Sequence, residues 1–164
     1  MPHMDNKKRN VINLIVWAIL ALCTLVFIYS NSLKNGPESM KQSSVVVEVV
    51  EPIIDPNHTM SEDLLTTIVR KGAHFTEFFL LGLTLRMMFI YVSRLSNKKF
   101  FVTPFFVCLF AAVIDEFIQS FTERTSAVLD VLIDFSGSTL AILLVMMVML
   151  VIHLIRKRKY QTVQ

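Results

Sequence analysis

Lys71, His74 and Glu77 stand at i, i+3 and i+6, so successive members are neighbours on one side of a helix. Asp115, Glu116 and Gln119 share a face for the same reason, and Asp130 and Asp134 form an i, i+4 pair. Arg124 and Ser126 lie in the short stretch between the last two groups. A histidine beside carboxylates moves protons, which makes His74, Asp115 and Glu116 the candidates for acid/base catalysis. Lys71 and Arg124, with Arg70 beside them, suit phosphate or carboxylate groups. Glu77, Gln119, Asp130 and Asp134 suit amines, hydroxyls or those same cations. No Ser-His-Asp or Cys-His pattern is present, so a covalent nucleophile is not indicated. The His-x-x-Glu spacing of His74 and Glu77 is a weak metal signal, and no metal or other cofactor is assigned. Cys23 and Cys108 sit in apolar blocks and are expected to be inert.

The elements that must carry these residues are apolar. The chain has 164 residues, 54% of them hydrophobic, with a mean hydropathy of +0.58. The apolar residues come in long blocks, each near the ~20 residues needed to cross a bilayer core. Helices are expected at about 11–30, 72–92, 101–121 and 128–155. No small-residue cleavage site follows the first block, which argues for an anchored span. The fold class is therefore an all-α membrane protein: one domain over 1–164, a bundle of four transmembrane helices. The outer loop at 31–69 is expected to hold short interfacial helices, one with Val46, Val47, Val49, Val50 and Ile53 on its greasy side and one with Leu64, Leu65, Ile68 and Val69 that runs into the second span. Ser39 with Gln42, and Thr59 with Glu62, have capping-box spacing, and Pro52 and Pro56 separate two stretches. A strand through the Val-rich run is the rival for that loop. Gly82, and Gly137 with Ala141 one turn later, suit close helix packing.

Basic residues orient the bundle. With the amino terminus inside, Lys7, Lys8, Arg9, Arg94, Lys98, Lys99, Arg156, Lys157, Arg158 and Lys159 are cytoplasmic, ten in all. Lys34, Lys41, Arg70, Lys71 and Arg124 are external, five in all, and Arg86 reaches the inner interface by snorkelling. The positive-inside rule thus puts both termini in the cytoplasm. The net charge of +3 is topological information and gives no nucleic-acid footprint. Counting along the helices brings Lys71, His74 and Glu77, Asp115 and Glu116, and Asp130 and Asp134 to one layer under the outer surface, with Asp115 and Glu116 roughly 6–9 Å below their helix end. Charges in a membrane are costly, so these groups must face each other, water or a ligand. Five acids there meet three fixed cations, Arg70, Lys71 and Arg124. The bland alternative is that the charges only dock helices and set register.

Lys71-Gly-Ala-His74-Phe75, Asp115-Glu116-x-x-Gln119-x-Phe121, Arg124, Asp130, Asp134 and Gly137 together resemble the VanZ-like family, named for a teicoplanin-resistance protein of Gram-positive bacteria. That family often has Tyr where Phe78 stands, Asn where Asp134 stands, and Pro-Gly where Thr122-Glu123 stands. The resemblance implies a bacterial cytoplasmic membrane protein of the cell envelope, linked to glycopeptide susceptibility. Its expected partners are membrane lipids and a lipid-linked cell-wall precursor or lipoglycopeptide, bound in an outer-leaflet pocket. An enzyme acting on a lipid-linked substrate, and a non-catalytic scaffold, are the alternatives.

Overall fold

The computed structural model describes residues 5–57, 59–122 and 128–161. Among them are five helices and no strand: α1 (Asn6–Ser32), α2 (Gly36–Ile54), α3 (Glu62–Ser96), α4 (Thr103–Gln119) and α5 (Val128–Gln161). The Val-rich run is therefore helical.

Local chemistry sets the ends. Asn35 caps α2 by accepting from the Glu38 amide at 3.0 Å, and Ser61 caps α3 by accepting from the Leu64 amide at 3.4 Å. These replace the expected caps at Ser39 and Thr59. The Thr59 hydroxyl instead donates to Asp55 at 2.8 Å, and Asp55 also accepts from the Met60 amide at 2.7 Å, which organises the α2–α3 turn. Pro52 lies inside the last turn of α2 and does not divide it. Asn97, left-handed at φ 54°, ends α3. Pro104 sits in the first turn of α4, where its missing N–H does least harm.

Three helices, not the expected four, are long and apolar enough to cross a membrane: α1, α3 and the Val128–Lys159 part of α5. The 17 residues of α4 rise only about 26 Å, against a hydrocarbon core of about 30 Å. Turn hydrogen bonds from the Ser120 and Thr122 amides carry its path a little further. In turn α3 starts at Glu62, so the outer helix expected through Leu64, Leu65, Ile68 and Val69 is continuous with the span expected from 72.

The bundle is built inside out. Polar Ser32, Arg86, Asp115, Glu116, Gln119, Asp134 and Ser138 are buried, whereas Ile15, Leu22 and Phe27 of α1 and Leu143, Met147 and Leu150 of α5 are exposed. That is the pattern for helices solvated by lipid. Helix α3 is central and packs on α1 and α5. A small core around Phe78, Leu81, Leu85, Cys108, Ala112 and Ile142 joins the helices. At the other end, the buried Arg86 donates to the Phe100 carbonyl at 3.1 Å and stacks 5.6 Å from the Phe101 ring, so it fastens the α3–α4 turn.

Candidate functional site

Two glycines let α3 and α5 touch. A Cβ at Gly82 would overlap the Ser138 carbonyl, and a Cβ at Gly137 would overlap the Phe75 carbonyl. Close backbone approach of this kind is what small residues permit between membrane helices. It brings His74, beside Phe75, against Asp134, one turn before Gly137. The His74 Nδ1 atom is 3.8 Å from Asp134 Oδ1 and 3.8 Å from Asp115 Oδ2. Three helices thus deliver one imidazole and two carboxylates to one point. Asp134 also stands within electrostatic reach of Glu77, Glu116 and Asp130.

The end of α1 holds Asp115 in place. The Ser32 hydroxyl donates to Asp115 Oδ1 at 2.5 Å, and Gln119 Nε2 donates to Asp115 Oδ2 at 2.7 Å. One helical turn of α3 beyond His74, Glu77 Oε1 accepts from Asn31 Nδ2 at 2.9 Å. Lys34 Nζ in turn donates to Asn31 Oδ1 and to Gln42 Oε1, both at 2.9 Å, which ties α2 to the same end. The rim is different. Lys71 Nζ and Asp130 Oδ1 form an ion pair at 2.9 Å, with side chains 35% and 23% exposed.

The structure therefore gathers Lys71, His74, Glu77, Asp115, Glu116, Gln119, Asp130 and Asp134 at one end of the bundle. Arg124 and Ser126 lie outside the described residues. Asn31 and Ser32 were not anticipated. Their signal in the sequence is the polar Ser30-Asn31-Ser32 run that closes the first apolar block. Lys71, expected to hold an anion, has its ammonium against Asp130.

Two openings flank this cluster. A polar cleft of about 100 Å³ is walled by Asn31, Ser39, Gln42, Arg70, His74 and Glu77, among others. A groove of about 570 Å³, largely apolar, runs along Phe27, Val50, Ile54, Ile68, Gly72 and Leu80. Cleft and groove share Val46, Val69, Ala73 and Glu77 as common walls.

No curated protein and no solved structure matches the chain significantly. The VanZ/LLP1 family model matches residues 14–152, a span that takes in every residue of the cluster described above. The chain, with its membrane-length helices, belongs to the VanZ/LLP1 family.

Proposed function

We propose that this protein binds an amphiphile of the bacterial cell envelope, headgroup in the polar cleft and acyl or prenyl chain in the apolar groove. The observation that carries the reading is the shared wall of Val46, Val69, Ala73 and Glu77, which makes the two openings one amphipathic path. A cleft of about 100 Å³ admits one charged group of the headgroup, the remainder lying at the outer surface, while the larger groove suits a chain. Arg70, which lines the cleft and also the cavity beside Asp134, is the cation for a phosphate or carboxylate on that headgroup. His74 and Glu77 supply hydrogen bonds beside it.

In this reading the cluster faces outward. Helix α4 is a short fourth crossing, because it links the Phe100 level to the Ser32 level between antiparallel neighbours. Both termini are then cytoplasmic, in line with the basic residues at 7–9 and 156–159. Helix α2, with Val45, Val46 and Val49 exposed, lies along the outer interface over the groove. Family membership supports a link to glycopeptide susceptibility, with an acylated glycopeptide or a lipid-linked wall precursor as the amphiphile.

The test is Ala73→Trp. Ala73 is exposed on the shared wall, so the indole obstructs the path without entering the core. Purified protein is titrated with teicoplanin, with a polyprenyl phosphate, and with a glycopeptide lacking an acyl tail. Saturable binding of one tailed ligand, weakened at least tenfold by Ala73→Trp, is expected. Equal binding by wild type and variant, or no preference for the tail, would refute the reading. Deletion and complementation, scored by glycopeptide susceptibility, place the result in the cell.

A further inference from the structure

The same end of the bundle brings a second set of ligand atoms together. His74 Nδ1, an Asp115 carboxylate oxygen and an Asp134 carboxylate oxygen lie within 4.8 Å of one another. At 3.8 Å, the imidazole nitrogen is too far from either carboxylate for a hydrogen bond. Two donors bound at about 2.0–2.2 Å to one ion stand roughly 3–4 Å apart, so a small contraction fits.

Independent of that spacing, Asp134 is 1% exposed, and its Oδ1 has no hydrogen-bond partner among the described residues. A buried carboxylate oxygen is costly unless a cation or proton compensates it. A cavity of about 10 Å³ adjoins it, bounded by His74, Gln119, Asp130 and Asp134 among others. That is room for about one water or one ion. The Asp115 carboxylate is already oriented by Ser32 and Gln119, the kind of outer hydrogen bonds that fix a ligating carboxylate.

We propose that His74, Asp115 and Asp134 bind one divalent transition-metal ion, Zn²⁺ or Mn²⁺, with its remaining positions open to water from the small cavity. One imidazole nitrogen with two carboxylate oxygens suits these ions better than Mg²⁺ or Ca²⁺, which take all-oxygen sets. Two carboxylates also neutralise the ion's charge. The inference goes beyond the amphiphile reading and does not depend on it.

The test uses the full chain in phosphatidylcholine nanodiscs, stripped with a chelator. It is then dialysed against Zn²⁺, Mn²⁺ or Mg²⁺, and bound metal is counted by mass spectrometry. About one equivalent of Zn²⁺ or Mn²⁺ is expected, with Mg²⁺ lost on dialysis. Asp134→Asn and His74→Ala should each weaken binding at least tenfold. Glu38→Gln, exposed on α2, should not change it. No retained Zn²⁺ or Mn²⁺, or wild-type affinity in both site variants, would overturn the proposal.

A variant that does not fold is replaced by spectroscopy on an intact site. The three other histidines of the four are changed to Gln and the protein is loaded with Mn²⁺. Nitrogen hyperfine coupling from a single imidazole is expected, and bound Mn²⁺ without it would overturn the site. Ala73→Trp should keep its metal, which separates the failure of this proposal from that of the amphiphile reading.

Discussion

Gly137 lies directly against the Phe75 carbonyl, with no space for even a methyl group between them. The consequence reaches the cluster, because His74 is the residue before Phe75 and Asp134 is one turn before Gly137. The same backbone contact that joins α3 to α5 sets the 3.8 Å between His74 Nδ1 and Asp134 Oδ1. Fold and site share one packing event here.

Gly137→Ala should therefore lower stability by about 1–3 kcal/mol, the usual range for overpacking a tight contact. Gly82→Ala should behave alike, because its Cβ meets the Ser138 backbone. A methyl group added at Gly72 would meet none of the described residues within 4 Å, so Gly72→Ala should stabilise α3 by about 0.5–1 kcal/mol. Thermal unfolding in detergent distinguishes the three. A destabilised Gly72→Ala, or an unaffected Gly137→Ala, would contradict the packing argument.

Ser32 is the second point at which packing and site coincide. Its hydroxyl donates to a carboxylate whose side chain is fully buried, at 2.5 Å. Ser32→Ala should cost about 1–3 kcal/mol, because a buried charged acceptor loses a donor. Gln119→Ala removes the other donor described above, so the double variant should deviate from the sum of the singles by more than about 0.5 kcal/mol. Chemical unfolding of the four proteins measures that coupling. Strict additivity would mean that the two donors do not share Asp115 as the geometry has it.

Much of this arrangement is legible in the sequence, and the exceptions have physical reasons. Helical spacing and residue counting are enough to bring His74, Asp115 and Asp134 to one level. They are not enough to separate His74 from Glu77. Three residues along a helix leave an offset of about 60°, which is small on a helical wheel. With α1 on one side of α3 and α5 on another, that offset sends Glu77 to Asn31 and His74 to Asp115 and Asp134. Ser32 escapes notice because a serine at the end of an apolar block reads as the start of a loop. The outward extension of α3 is legible too, because Leu64, Leu65, Ile68 and Val69 form an apolar face that runs into the second block. Helix α4 shows the converse: its apolar run is clear, but Val102 and Gln119 bound a regular helix shorter than that run suggests.

The rim pair should matter far less to stability than the inner cluster. Lys71 and Asp130 are close, but both side chains are partly solvated. Exposed ion pairs contribute about 0–1 kcal/mol and weaken with salt. Lys71→Met should therefore shift stability by less than about 1 kcal/mol, and the difference from wild type should shrink between low and high salt. Thermal scans at two ionic strengths decide it. A loss as large as that of Ser32→Ala would mean that the rim pair is as sequestered from water as Asp115.

Arg86 offers a perturbation at the opposite end. It lies twelve residues beyond His74 on α3, about 18 Å along the axis. Its guanidinium bonds the Phe100 carbonyl and lies over the Phe101 ring, two contacts that an ammonium on a shorter stem does not reproduce together. Arg86→Lys should cost about 1–3 kcal/mol by loosening the α3–α4 turn. Because it shares no partner with Ser32, its effect should add to that of Ser32→Ala within about 0.5 kcal/mol. Ligand and metal binding at the His74 end should persist in Arg86→Lys under conditions where the protein stays folded. Thermal unfolding and binding measured on one preparation test both parts. Strong non-additivity would show that the two ends of the bundle unfold through a shared, coupled step, and α3 would then have to be regarded as transmitting strain along its whole length.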